Sequence, residues 1–152
     1  MRIALGAALL LLTAFTGFAQ KNDEAEIRRV LAASLVDWNR GDVRGFMKSY
    51  EASPNTLFIG KAGVTRGHQQ VLDNYLKRYP TKESMGTTTF SNLEVKLLGE
   101  GHAWVLGNWN LKRDAKAGGE IGGLFTLLLK KTPAGWTKAP SSTRTSSSCE
   151  ES

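Results

Sequence analysis

Hydrophobic and polar positions divide this chain into four stretches with different periods. From Ile3 to Phe18 it is almost wholly apolar, with one charge, Arg2, in front and the small residues Gly17 and Ala19 before Gln20. A basic start, a short leucine-dense run and a small-residue cut site predict a secretory signal peptide over residues 1–19. From Ile27 the apolar residues Val30, Leu31, Leu35 and Trp38 recur at helical spacing, with Glu24, Arg28 and Arg29 among the positions between. That period predicts an amphipathic helix. Gly41 suits its left-handed end, and Asp42 can cap a second short helix carrying Val43, Phe46, Met47 and Tyr50. A hairpin is expected through Thr56–Ile59 and Val64–Thr65, and a third helix through Val71, Leu72, Tyr75 and Tyr79, which Pro80 stops.

Beyond Thr87 the period falls to two. Leu93, Val95 and Leu97 alternate with Glu94 and Lys96, while Phe90 falls out of phase, which a bulge at Ser91 and Asn92 repairs. The next strand places Ala103, Val105, Gly107, Trp109 and Leu111 on one face and Trp104, Leu106, Asn108 and Asn110 on the other. Another sets Phe125, Leu127 and Leu129 against Leu124, Thr126 and Leu128. Both strands are apolar on both faces, so a helix or a second subunit is expected to cover the far side of the sheet. Helices that precede an antiparallel sheet define an α+β domain.

A fourth strand is due after the turn that leads to Trp136, yet the chain continues "TKAPSSTRTSSSCEES". Pro140 removes a ladder donor and the Ser/Thr run has no apolar alternation. The expectation is therefore a last strand truncated or missing, a disordered tail over 139–152, and an unpaired edge beside Leu124 to Leu129. The domain itself is expected over 20–138.

Composition narrows the class. Removing the leader leaves about 133 residues, the size of one domain. The formal charge of +6 falls to about +5 without Arg2 and is interleaved with acids, so no nucleic-acid partner is expected and no stable membrane anchor remains after cleavage. Cys149 is the sole cysteine, which excludes an internal disulfide and a cysteine zinc site. Periplasmic or secreted localisation follows from the leader.

Candidate chemistry is sparse. Proton abstraction needs an inward carboxylate or imidazole and a donor for the developing oxyanion. Asp37 lies about 100° around the helix from Trp38, Glu94 alternates out of its strand's apolar face, His68 starts a helix, and His102 sits near a turn. None makes a convincing base, so the catalytic residues stay unassigned. Two histidines without matching carboxylates predict no metal site, G-x-S-x-G is absent, and no cofactor is expected.

The stretches "DWNRGDVRGFMKSY", "FIGKAGVTRGHQQVLDNYLKRYP", "MGTTTFSNLEVKLLGEGHAWVLGNW" and "GGLFTLLLKKTPAGW" together resemble the SnoaL-like branch of the nuclear transport factor 2-like superfamily, over about Glu26 to Trp136. The resemblance implies a cone in which three N-terminal helices pack against a curved antiparallel sheet, with a small-molecule pocket in its hollow. It implies Trp38, Tyr50, Phe58, Tyr75, Tyr79, Trp109 and Phe125 around that hollow, where a small apolar or aromatic molecule is the expected ligand, and a homodimer through the sheet. Relatives of this branch continue past the "GW" with an Asp-His-Thr-Ser segment that this chain lacks. Within such a fold a cofactor-independent isomerase, cyclase or hydrolase, and an oligomerisation module with a packed cavity, are the alternatives to a binding protein.

Overall fold

The computed structural model describes the backbone of residues 5–60 and 63–144 and the side chains of residues 22–60 and 63–139, and among the described residues there are four α-helices, one short 3-10 turn and six strands. Helix α1 (Leu5–Asn39) includes most of the expected leader and continues into the domain without a break. Its buried stripe is Ile27, Leu31, Ser34 and Trp38, with Val30 half-buried beside it. Gly41 ends the helix at φ +92°, a conformation only glycine adopts without strain. Asp42 then caps α2 (Val43–Met47) by accepting the Gly45 amide at 2.6 Å.

Strands β1 (Leu57–Gly60) and β2 (Gly63–Arg66) lead into α3 (His68–Arg78) and the single turn α4 (Lys82–Met85). Three long strands follow, β3 (Thr87–Gly99), β4 (His102–Lys112) and β5 (Ile121–Thr132). The expected bulge is present: the β3–β4 register shifts between Ser91 and Glu94, and Asn92 takes a positive φ of 50°. Phe90 is thereby brought back to the inner side, where its ring lies 4.7 Å from that of Phe125. Gly107 makes room for this layer, since a Cβ there would stand 2.7 Å from Leu93 and 2.8 Å from the Phe125 ring.

The end of the chain departs from expectation. Strand β6 (Gly135–Arg144) is neither missing nor disordered, and it reaches well into the Ser/Thr run. It pairs antiparallel with β5 and parallel with β1, so the sheet order is β2-β1-β6-β5-β4-β3. The edge of β5 that was expected to be bare is covered. Two physical facts explain the difference. Ladder bonds are made by the backbone, so polar side chains do not prevent pairing, and threonine is a good strand former. Pro140 falls where the register slips, between the pairs Leu129–Lys138 and Leu127–Ser142, which is where a residue without an N–H is tolerated. Residues 145–152, including Cys149, lie outside the described residues.

Helices and sheet meet on one face. The odd positions of β4 and β5, from Ala103 to Leu111 and from Phe125 to Leu129, enter the core with Trp38, Phe46, Tyr75 and Met85. Side-chain clasps fix α1 to the sheet: Trp38 donates from Nε1 to the Met85 carbonyl at 2.9 Å, and Asn39 bonds both the N–H and the C=O of Thr88, at 2.8 and 2.9 Å. At the other end, Asp23 accepts from Lys131 at 2.5 Å and from the Trp136 indole at 3.1 Å.

Two outcomes are expected from this architecture. Ending the chain at Ala139 removes the half of β6 that pairs with β1 and with Phe125 to Leu127 of β5, and should abolish the cooperative urea transition. The Asp23 carboxyl is held below its ordinary value of 3.8, first by the Lys131 hydrogen bond and then by Trp136, against opposing desolvation. Its contribution to stability is thus present above the unfolded value and is lost as pH falls through the lowered one. Asp23→Asn should flatten the acid limb of melting temperature against pH below about 4.

Candidate aromatic site and its relatives

The site is built where α1, α2 and α3 face the sheet. Trp38 stands at its centre, with its ring centroid 5.1 Å from Phe46, 5.7 Å from Tyr75 and 5.0 Å from Tyr79, each edge-on. Phe46 also meets Tyr50 at 5.7 Å and Tyr75 at 5.8 Å, and Tyr75 stacks on Tyr79 at 5.9 Å. Phe58, on β1, reaches Tyr75 at 5.7 Å and is half-buried, whereas the others are buried. Edge-to-face pairs of this kind are worth about 0.5–1.5 kcal/mol each beyond the area they bury.

Five of the seven residues implied by the family resemblance, Trp38, Tyr50, Phe58, Tyr75 and Tyr79, therefore share one contiguous cluster with Phe46. Trp109 and Phe125 lie on the inner face of β4 and β5, within the same core but outside that set of ring pairs.

Sequence reasoning missed the polar part. Lys138 of β6 is only 1% exposed, and its Nζ donates to Ser49 Oγ at 2.9 Å and Ser34 Oγ at 3.2 Å. It also lies 4.4 Å from the Tyr50 ring centroid and 4.9 Å from that of Phe46. Both hydroxyls spend their hydrogens on helix carbonyls, Ser34 on Leu31 and Ser49 on Phe46, so they present lone pairs to the ammonium. The signals were in the sequence: Ser34 is in phase with Leu31 and Trp38, and Lys138 is two residues from Trp136 on the same side of its strand.

The weak base candidates are held elsewhere. Asp37 pairs with Arg40 at 2.8 Å on the surface. Glu94 and His102 are exposed, in line with their positions in the strand pattern. His68 places Nε2 3.0 Å from the Met47 carbonyl, which only accepts, so that nitrogen carries the proton and the ring clips α3 to α2. Among the described residues, the buried polar ones are Ser34, Thr56, Thr88 and Lys138, while the half-buried Glu51 keeps Oε2 out of solvent and pairs through Oε1 with Lys130 at 2.7 Å.

Helices folded into a curved sheet around an aromatic centre define an α+β cone. The chain belongs to the nuclear transport factor 2-like family. It is similar to an NTF2-like protein of unknown function from Shewanella oneidensis, with 32% identity and a TM-score of 0.72, over 82% of this chain and 98% of that one. It shares its fold with an NTF2-like protein with a cystatin-like fold from Novosphingobium aromaticivorans (14% identity, TM-score 0.67, 100% and 94% covered). The fold is also that of a ketosteroid isomerase-like protein from Erwinia carotovora atroseptica (19% identity, TM-score 0.63, 82% and 95% covered). No protein-family model and no curated protein matches the chain.

His68→Ala is expected to lower unfolding free energy by about 1–2 kcal/mol, the scale of a lost, partly buried hydrogen bond. Urea melts of the two proteins side by side provide the check.

Proposed function

We propose that this protein is an exported, SnoaL-like small-molecule-binding domain whose ligand is apolar or aromatic and packs against Trp38, Tyr50, Phe58, Tyr75 and Tyr79. The observation that carries the reading is the contiguous ring cluster between helices and sheet, with half-buried Phe58 at its margin. Aromatic walls with few polar groups are the usual lining of sites for such molecules. The isomerase reading is weaker, because no fully buried described residue is a carboxylate or an imidazole, and Glu51, whose Oε2 is buried, is paired through Oε1 with Lys130 at 2.7 Å. Fold alone does not decide between binding and catalysis.

Export is supported by the leader pattern and by the position of Asp23. That residue, which ties the start of the domain to Lys131 and Trp136, lies beyond the expected cut before Gln20, so cleavage leaves the clasp intact. The exported protein should begin at Gln20, as read by intact mass.

A separate observation favours self-association. The core takes the odd positions of β4 and β5, which leaves Trp104, Leu106 and Leu128 half-buried and Leu124 51% exposed on the opposite face. We propose that a second copy covers this face, since a polar partner would not match its central Trp104–Leu128 pair and its neighbour Leu106. Leu128→Lys should then yield a monomer by light scattering.

The binding reading is tested with 2-acetylnaphthalene as a neutral aromatic probe. A saturable rise in melting temperature is expected, together with at least a tenfold weaker affinity in Tyr75→Leu, about 1.4 kcal/mol. A clean transition that neither this probe nor other flat ketones shift would overturn it and favour a packed assembly module.

A further inference from the structure

We infer that Gln20, the first residue left by leader cleavage, closes on itself to pyroglutamate, so that the exported protein carries a neutral, blocked amino terminus. The inference rests on the export reading above and adds a covalent modification at the site of the cut.

The chemistry needs nothing beyond the residue itself. The freed α-amino nitrogen attacks its own side-chain amide carbon and forms a five-membered lactam. The bond from that carbon to Nε2 breaks, and Nε2 leaves as ammonia with the proton that the amine gives up. No oxidant, reductant or second substrate enters. The backbone leaves the nucleophile available: Gln20 lies on the path of α1, and as the first residue of the shortened helix it has no carbonyl one turn earlier to hold its nitrogen. Asn22, two positions on, is exposed, so the chain reaches this end at the surface of the domain.

The fold makes a free amine unfavourable there. An α-ammonium would stand at the positive end of the helix, followed directly in sequence by Lys21. The acids of that first turn are already taken. Asp23 accepts through Oδ1 from Lys131 at 2.5 Å and from the Trp136 indole at 3.1 Å, and Glu24 pairs with Arg28 at 2.8 Å. Cyclisation removes the charge that this helix end leaves uncompensated. It also removes the free amine by which an aminopeptidase takes residues off one at a time. Loss of Gln20, Lys21 and Asn22 would bring such an enzyme to Asp23, whose carboxylate ties α1 to β5 and β6. A lactam at Gln20 thus guards the clasp.

The test takes protein exported from cells that express the full chain and reads its intact mass. The expected mass is that of residues 20–152 less one ammonia, with no readable N-terminal sequence until a pyroglutamyl peptidase removes the ring. Gln20→Ser keeps a small polar residue after the cut and cannot form the lactam. It should show a free amine, and a broad-specificity aminopeptidase should shorten it at that end while the wild type keeps its full length. A wild-type mass of residues 20–152 with no loss of ammonia overturns the ring and leaves the export reading standing. A retained leader, or a start at another residue, overturns the two together. Equal resistance of the cyclised wild type and Gln20→Ser to the aminopeptidase overturns the guarding role.

Discussion

Everything in this fold depends on β6 pairing on both of its edges. On one side it closes the antiparallel ladder with β5, and on the other it takes β1 in parallel, Leu57 to Ile59 against Ser141 to Thr143. Without it the β1–β2 hairpin would have no connection to the main sheet, because β1 has no other ladder partner there. The hairpin carries Phe58, so the same pairing sets the margin of the aromatic cluster. A polar strand can do this because its binding groups are the peptide N–H and C=O, and its Pro140 is parked in the register slip.

The strand also delivers a lysine to the interior. An ammonium is costly to bury, and the hydroxyl acceptors and aromatic faces around this one offset part of that cost. The consequence spreads to other elements: a serine replaces an apolar residue in the core stripe of α1, and another stands just after α2. Ser34, Ser49 and Lys138 are far apart in sequence and meet only when α1, the α2 turn and β6 are all in place. The trio is thus both a check on the assembled fold and the polar point in an otherwise apolar cluster.

Much of this was legible beforehand. The α1 and α3 stripes, the Gly41–Asp42 corner, the Ser91–Asn92 bulge and the alternation of β4 and β5 all follow from local periods and turn chemistry, which a linear reading detects. The aromatic cluster was legible through family resemblance, because its members are scattered over four elements and no local rule brings them together. Two things were not legible. Side-chain hydropathy predicts a truncated or missing last strand, whereas β5 and β1 supply the pairing for β6 that the sequence does not advertise. Lys138 was overlooked because a lysine beside Thr137 in a polar run looks solvated until two distant serines and two rings are seen around it.

The account stands or falls on the last strand, and hydrogen exchange of the backbone amides from Ser141 to Arg144 tests it most directly. Amides in ladders on both sides should exchange through large-scale opening, at rates close to those of the β5 amides opposite them. Exchange at the rate of an unstructured peptide in that segment would contradict the closed sheet, the placement of Phe58 and the architecture built around Lys138.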